Sequence, residues 1–175
     1  MGLALVHSRA RAGVAAPAVQ VEVHLSGGLP STQIVGLPAA AVRESRDRVR
    51  AAILCAQFEY PQRRITINLA PADLPKESGR FDLPIALGIL TAAGHIEAAR
   101  LEGYEFAGEL SLAGELRPVR GALALALAVR GAQTSRCLVL PTPSAVAAAQ
   151  VSGLDIRAAD NLLQVVQSLQ PGEDT

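Results

Sequence analysis

Chemistry in this chain of 175 residues rests on a narrow set of side chains. Of its 16 basic residues, 15 are arginine and one is lysine, so any lysine-dependent mechanism must use Lys76. A phosphate-binding loop of the form GxxxxGK(S/T) is excluded, because Lys76 stands between Pro75 and Glu77 with no glycine before it. No GxGxxG follows a strand, and Gly27-Gly28 reads as a pair of tight-turn glycines. The histidines, His7, His24 and His95, lack metal-ligand spacing, so no metal site is expected. Cys55 and Cys137 form no CxxC pair and point to a reduced chain. Asp73 with Glu77, and Glu105 with Glu109, are carboxylate pairs four residues apart, the spacing of acid–base work on one face of a strand. Neither pair has a nucleophile attached to it by sequence, and no catalytic residue is assigned.

Two segments carry more specific chemistry. The first is Asn68–Asp82, NLAPADLPKESGRFD, which runs from a strand end to a helix start. Ser78 and Gly79 lie just ahead of Phe81, where backbone N–H groups and a helix dipole favour an anion, and Lys76 and Arg80 add positive charge. A capped loop with solvated charges explains the same residues. The second segment is basic: Arg43, Arg46, Arg48, Arg50, Arg63 and Arg64 face only Glu44, Asp47 and Glu59. Arg43, Arg46 and Arg50 are three and four apart and so share one helix face. Such a stripe suits a phosphate backbone, or it pairs with Glu44 and Asp47 on a solvated face.

Composition and patterning set the scaffold for these residues. Half of the residues are hydrophobic and 18% are charged, too apolar for disorder and enough for one buried core. Acids and bases balance at 16 each, so net charge alone gives no attraction to nucleic acid or membrane. Aromatics are 3%, without tryptophan, which weakens any reading built on base stacking. No apolar run reaches the roughly 18 residues of a membrane span, and no secretory signal shows, so a cytoplasmic protein without membrane contact is expected. Val19–Leu25 alternates as a strand, and Thr32–Val35 is expected to form a hairpin with it. A long helix is predicted over Ala39–Gln57, a strand over Arg64–Leu69, and an apolar helix over Phe81–Ala93. Phe106–Leu112 reads as a strand with Glu115–Val119 pairing back onto it. Helices at Gly121–Arg130, Pro143–Gln150 and Asn161–Leu169, the last capped by Asp160, alternate with strands at Cys137–Leu140 and Leu154–Ala158. The order predicts an α/β fold with a mixed sheet and packed helices. One domain is expected over 1–169, with 170–175 as a linker or chain end.

Three motifs in order carry a family resemblance: AVQVEVHLSGGLPSTQIVGLPAAAVRESRDRVRAAI, RRITINLAPADLPKESGRFDLPIALGIL and FAGELSLAGELRPVRGAL. Over nearly its whole length the chain resembles the N-terminal domain of the bacterial ComM/YifB proteins, the magnesium-chelatase-like AAA+ ATPases linked to competence. The resemblance implies a ribosomal S5 domain 2-like fold, shared with the proteolytic domain of Lon. It also implies an AAA+ ATPase module downstream, holding ATP and Mg with its own phosphate loop, in a homo-hexameric helicase that drives branch migration during natural transformation. The chain stops at Thr175 before any ATPase motif, and so is expected to be an excised domain with no cofactor of its own.

The Lon resemblance also raises a Ser–Lys peptidase. Only Ser78 lies near the serine position, and Arg120, Gly121, Ala122 and Leu123 stand where the lysine belongs. An arginine cannot shed its proton to act as a base. The leading expectation is therefore a non-catalytic accessory domain that contacts DNA backbone, single-stranded or branched, without sequence preference. Arg43, Arg46, Arg50, Arg63, Arg64, Lys76 and Arg80 are its candidate contacts. The alternative is a purely structural domain whose arginines pair between subunits of the ring. A Ser78 peptidase and a chelatase subunit stand behind both.

Overall fold

The alternation of valine with polar residues in Ala18–Ser26 (β2) makes it the spine of the first sheet. In the computed structural model, which describes residues 2–36, 38–74, 76 and 78–171, β2 is flanked by β1 (Leu3–Arg9) and β4 (Arg64–Ala70), both antiparallel to it. Val6 lies opposite Val21, Val23 opposite Ile67 and Leu25 opposite Ile65, so one face of the three strands is continuous and buried. On β2 and β4 the other face is polar, and there Asn68 Nδ2 donates to Glu22 Oε1 at 2.7 Å across the register.

The hairpin expected between β2 and Thr32–Val35 does not form. The strand β3 (Ser31–Val35) pairs with β4, in parallel, and the sheet order is β1-β2-β4-β3. The cause is the helical segment between them. A parallel pair needs a long crossover, and α1 (Ala40–Arg43) with α2 (Ser45–Cys55) supplies it. Residues 27–30 need only jump one strand, about 10 Å, which four residues span. The single helix expected over 39–57 is interrupted at Glu44.

Beneath the sheet runs α3 (Asp82–Ala92), preceded by a 3₁₀ turn at Gly79–Phe81. Every residue of α3 is buried, because it packs on β1 and β2 and also against α2. A helix apolar all round has to be enclosed. Gly88 permits the close approach: a Cβ there would lie 2.5 Å from Val23 Cγ2.

After the short α4 (Ala98–Leu101), a second sheet of three parallel strands is built from β5 (Tyr104–Phe106), β8 (Cys137–Pro141) and β9 (Ile156–Ala159). The helices α5 (Ala122–Gly131) and α6 (Thr142–Ala148) make its crossovers, and α7 (Leu162–Ser168) returns to the first core. Asn161, rather than the expected Asp160, caps α7, its side chain accepting from the Gln164 N–H at 2.9 Å. The strand expected over 106–112 is divided at Ala107–Gly108, where the chain leaves β8 and meets Arg80. Beyond that break lies a small hairpin of β6 (Glu109–Leu110) and β7 (Leu116–Arg117). The architecture is α/β with a mixed sheet, a parallel sheet and packed helices. No helix among the described residues is long and apolar enough to cross a membrane.

Cys137 opens β8 inside the protein, and burial, reinforced by the charge of Asp155, pushes its thiol up to about 11. Cys55 is exposed at the end of α2. Thiolate is the reactive form. A maleimide at neutral pH is therefore expected to label Cys55 in the folded protein and Cys137 only after denaturation. Peptide mapping that finds equal labelling of both in the native state would contradict this placement.

Candidate functional site

The arginines of α2 separate by face. Arg46 and Arg50 are exposed on the outer side and, with Arg63 from the loop before β4, line a surface cleft of about 260 Å³. Tyr60 and Thr32 form its floor. The Arg50 guanidinium lies 5.5 Å from the centre of the Tyr60 ring, a cation–π distance. The Tyr60 hydroxyl bonds to Thr32 Oγ1 at 2.8 Å, and Arg46 Nη1 donates to the Thr32 carbonyl at 3.4 Å. Burial raises the Tyr60 pKa above its ordinary value, against the opposing Thr32 bond and the charges of Arg50 and Arg46. Among the described residues, Asp47 is the one acid on the wall. The cleft is therefore a cationic surface with an aromatic base, the chemistry that accepts a phosphodiester and tolerates a stacked base. Arg43 and Arg64 are also exposed but do not line it.

Arg48 points the other way. Its Nε donates to Asp82 Oδ2 at 2.7 Å and its Nη2 to Oδ1 at 3.1 Å, a bidentate pair. Ser45 Oγ donates to Oδ1 at 2.5 Å and the Leu110 N–H to Oδ2 at 3.0 Å. Asp82 thus ties α2, α3 and β6 together from a fully buried position. Desolvation raises its pKa above the ordinary carboxylate value, against the Arg48, Ser45 and Leu110 bonds. The same pairing raises that of Arg48. This is a structural hub.

Two of the expected DNA-backbone contacts are corrected. Lys76 is fully buried, and its Nζ donates to the carbonyls of Gly36, at 2.7 Å, and Pro71. The loop folds back on residues 38–39, with the Ala39 N–H donating to the Lys76 carbonyl at 3.0 Å, and carries the lysine inward. Arg80 is also buried and donates to the carbonyls of Arg9 and Arg120. Neither is an exposed cation. The expected carboxylate pairs do not assemble: Glu105 is buried against Arg9 while Glu109 lies beyond the break in the strand, and Glu77 lies outside the described residues. So do residues 172–175 of the expected tail.

A lysine-bearing phosphate loop for ATP does not fit this chain. Its only lysine is committed to backbone carbonyls, and among the described residues no three His, Cys, Asp or Glu side chains group as metal ligands. Residue types alone did not reveal Tyr60 and Thr32 as cleft partners. The only local signal was a tyrosine three residues before the Arg63-Arg64 pair.

A family model described as subunit ChlI of Mg-chelatase matches residues 21–143. The chain is 51% identical over 173 residues to the competence protein ComM of Haemophilus influenzae, covering 99% of this chain and 34% of that protein. It is 47% identical over 170 residues to the uncharacterized protein YifB of Salmonella typhimurium, covering 97% and 33%. A Mycobacterium bovis protein is 39% identical over 165 residues, covering 94% and 33%. The chain spans about a third of the length of these relatives. With the family model matching well over half of the chain, it belongs to the Mg-chelatase ChlI-like family, as a member of the ComM and YifB type.

Proposed function

We propose that this chain is the non-catalytic N-terminal accessory domain of a ComM-like AAA+ ATPase, a cytoplasmic homo-hexameric helicase acting in branch migration during natural transformation. Its role is to hold single-stranded or branched DNA by the backbone. ATP and Mg belong to the ATPase module of the parent. The observation that carries the DNA reading is the convergence of Arg46, Arg50 and Arg63 on one exposed cleft floored by Tyr60. Arg43 and Arg64 extend the positive surface along the chain. A Ser78 peptidase is disfavoured by the use of Lys76, whose ammonium donates to Gly36 and Pro71.

The test is fluorescence anisotropy with labelled single-stranded and forked DNA over a range of salt. The triple variant Arg46→Ala, Arg50→Ala, Arg63→Ala is expected to flatten the salt slope by about 2 to 3 and to weaken binding on the order of 10–100-fold at low salt. Its unfolding midpoint should stay unchanged, because all three side chains are exposed. An unchanged salt slope would remove DNA contact from this cleft. Loss of hexamers in the full-length triple variant, with no DNA binding by the wild-type chain, would transfer the role to ring assembly.

A further inference from the structure

A second cleft, of about 410 Å³, is also cationic. Its walls include Arg11, Ser78, Gly79, Arg80, Glu109 and Arg120. Arg80 is only 3% exposed. Its Nη2 donates to the Arg120 carbonyl and its Nη1 to the Arg9 carbonyl at 3.5 Å, while its Nε–H has no acceptor. A buried guanidinium normally has both a carboxylate and a full set of acceptors. Among the described residues no carboxylate lies within ion-pair distance of Arg11, Arg80 or Arg120. Burial and the neighbouring charge of Arg11 both lower the Arg80 pKa, the mark of a cation without compensation.

The shape of the cleft is specific. Gly79 carries no side chain where a Cβ would lie 2.3 Å from Glu109 Oε1, so the loop and the Glu109 carboxylate close one wall together. Ser78, at φ 72°, stands in the left-handed region that serine rarely adopts, and its Oγ accepts from the Arg80 N–H at 3.4 Å. Among the described residues, three arginines and one glutamate line the cleft, an excess of two positive charges. That excess matches a dianion rather than a single carboxylate.

We propose that this cleft binds a dianionic phosphate group, with Arg80 and Arg11 as its main ligands and Arg120 and the Ser78 hydroxyl as further donors. The chemistry is that of inorganic phosphate, of a nucleotide's terminal phosphate or of a phosphorylated DNA end. The site shares no residue with the Arg46–Arg50–Arg63 cleft and does not rest on the DNA reading of that cleft.

The test is calorimetric titration of the chain at constant ionic strength with inorganic phosphate, with a deoxynucleoside monophosphate, and with a short oligonucleotide bearing either a 5′-phosphate or a 5′-hydroxyl. Saturable binding of inorganic phosphate is expected, weakened at least about tenfold in Arg11→Gln, whose side chain is exposed and whose loss leaves the fold intact. Arg80→Gln should abolish binding, with circular dichroism checking that it folds. Tighter binding of the monophosphate assigns the site to nucleotides, and tighter binding of the 5′-phosphorylated oligonucleotide than of its 5′-hydroxyl form assigns it to DNA ends. Absence of saturable heat with inorganic phosphate, or binding unchanged in Arg11→Gln, overturns the proposal.

Discussion

Arg48→Ala is expected to destabilise the protein by about 3–5 kcal/mol, the usual loss when one partner of a buried ion pair is removed. The reason lies in what stays behind. Asp82 is fully buried, and without Arg48 its carboxylate keeps only the Ser45 hydroxyl and the Leu110 N–H. Those two neutral donors cannot offset the desolvation of a charge in the interior. The position of the pair amplifies the effect, because Asp82 joins α2, α3 and β6, and loosening it frees the crossover helix from the core. Urea unfolding monitored by circular dichroism measures the change as a shift in midpoint at constant slope. Arg46→Ala, two residues away and exposed, is the control and should stay within about 0.5 kcal/mol of wild type. A loss below about 1 kcal/mol in Arg48→Ala would mean that water screens the pair and that the hub carries little of the stability.

Glu105→Ala is expected to cost a similar amount, about 3–5 kcal/mol, at the joint between the two sheets. Arg9 at the end of β1 donates through Nε to Glu105 Oε1 at 2.8 Å and through Nη2 to Oε2 at 3.4 Å. Both side chains are buried. Beside them, Ser8 Oγ donates to the Phe106 carbonyl at 2.6 Å, so β1 and β5 are bound by side chains rather than by a strand ladder. Removing Glu105 leaves Arg9 with one backbone acceptor, the Ala16 carbonyl at 3.0 Å. Arg136 also reaches Glu105, at 3.5 Å, but from a partly exposed position. Arg136→Ala should therefore cost no more than about 1 kcal/mol. The contrast between the two variants is the measurement: equal losses would show that Glu105 is held mainly from the surface side.

Much of the architecture was legible in short stretches. Val19–Leu25 and Arg64–Leu69 alternate, and a period of two has only one way to place its apolar side against a core. The Phe81–Ala93 run is apolar on every side, which demands a central helix. In the sequence Arg48 belongs to the same basic segment as Arg46 and Arg50, and the structure turns it inward onto Asp82. Arg48 stands two residues from both Arg46 and Arg50, and two residues along a helix face opposite ways. Less visible was β1, whose residues lack clean alternation because most of its length is buried on both faces.

The periodic elements, the α/β class, the absence of a phosphate loop and a cationic outer face on the crossover helix all came from the amino-acid sequence. Each is local, set by residue type and spacing along a few turns or a few strand pairs. The choice of partner for β3 belonged to the tertiary structure, because pairing depends on the crossover that separates the strands in space. So did the meeting of Arg48 with Asp82, 34 residues away, and of Arg9 with Glu105, 96 residues away. The fold also turned Lys76 and Arg80 inward. The polar loop around them looks solvated in one dimension, and the cost of burying a charge depends on neighbours that only the fold assembles. By the same logic, Arg46, Arg50 and Arg63 became one cleft when α2 and the loop before β4 met around Tyr60.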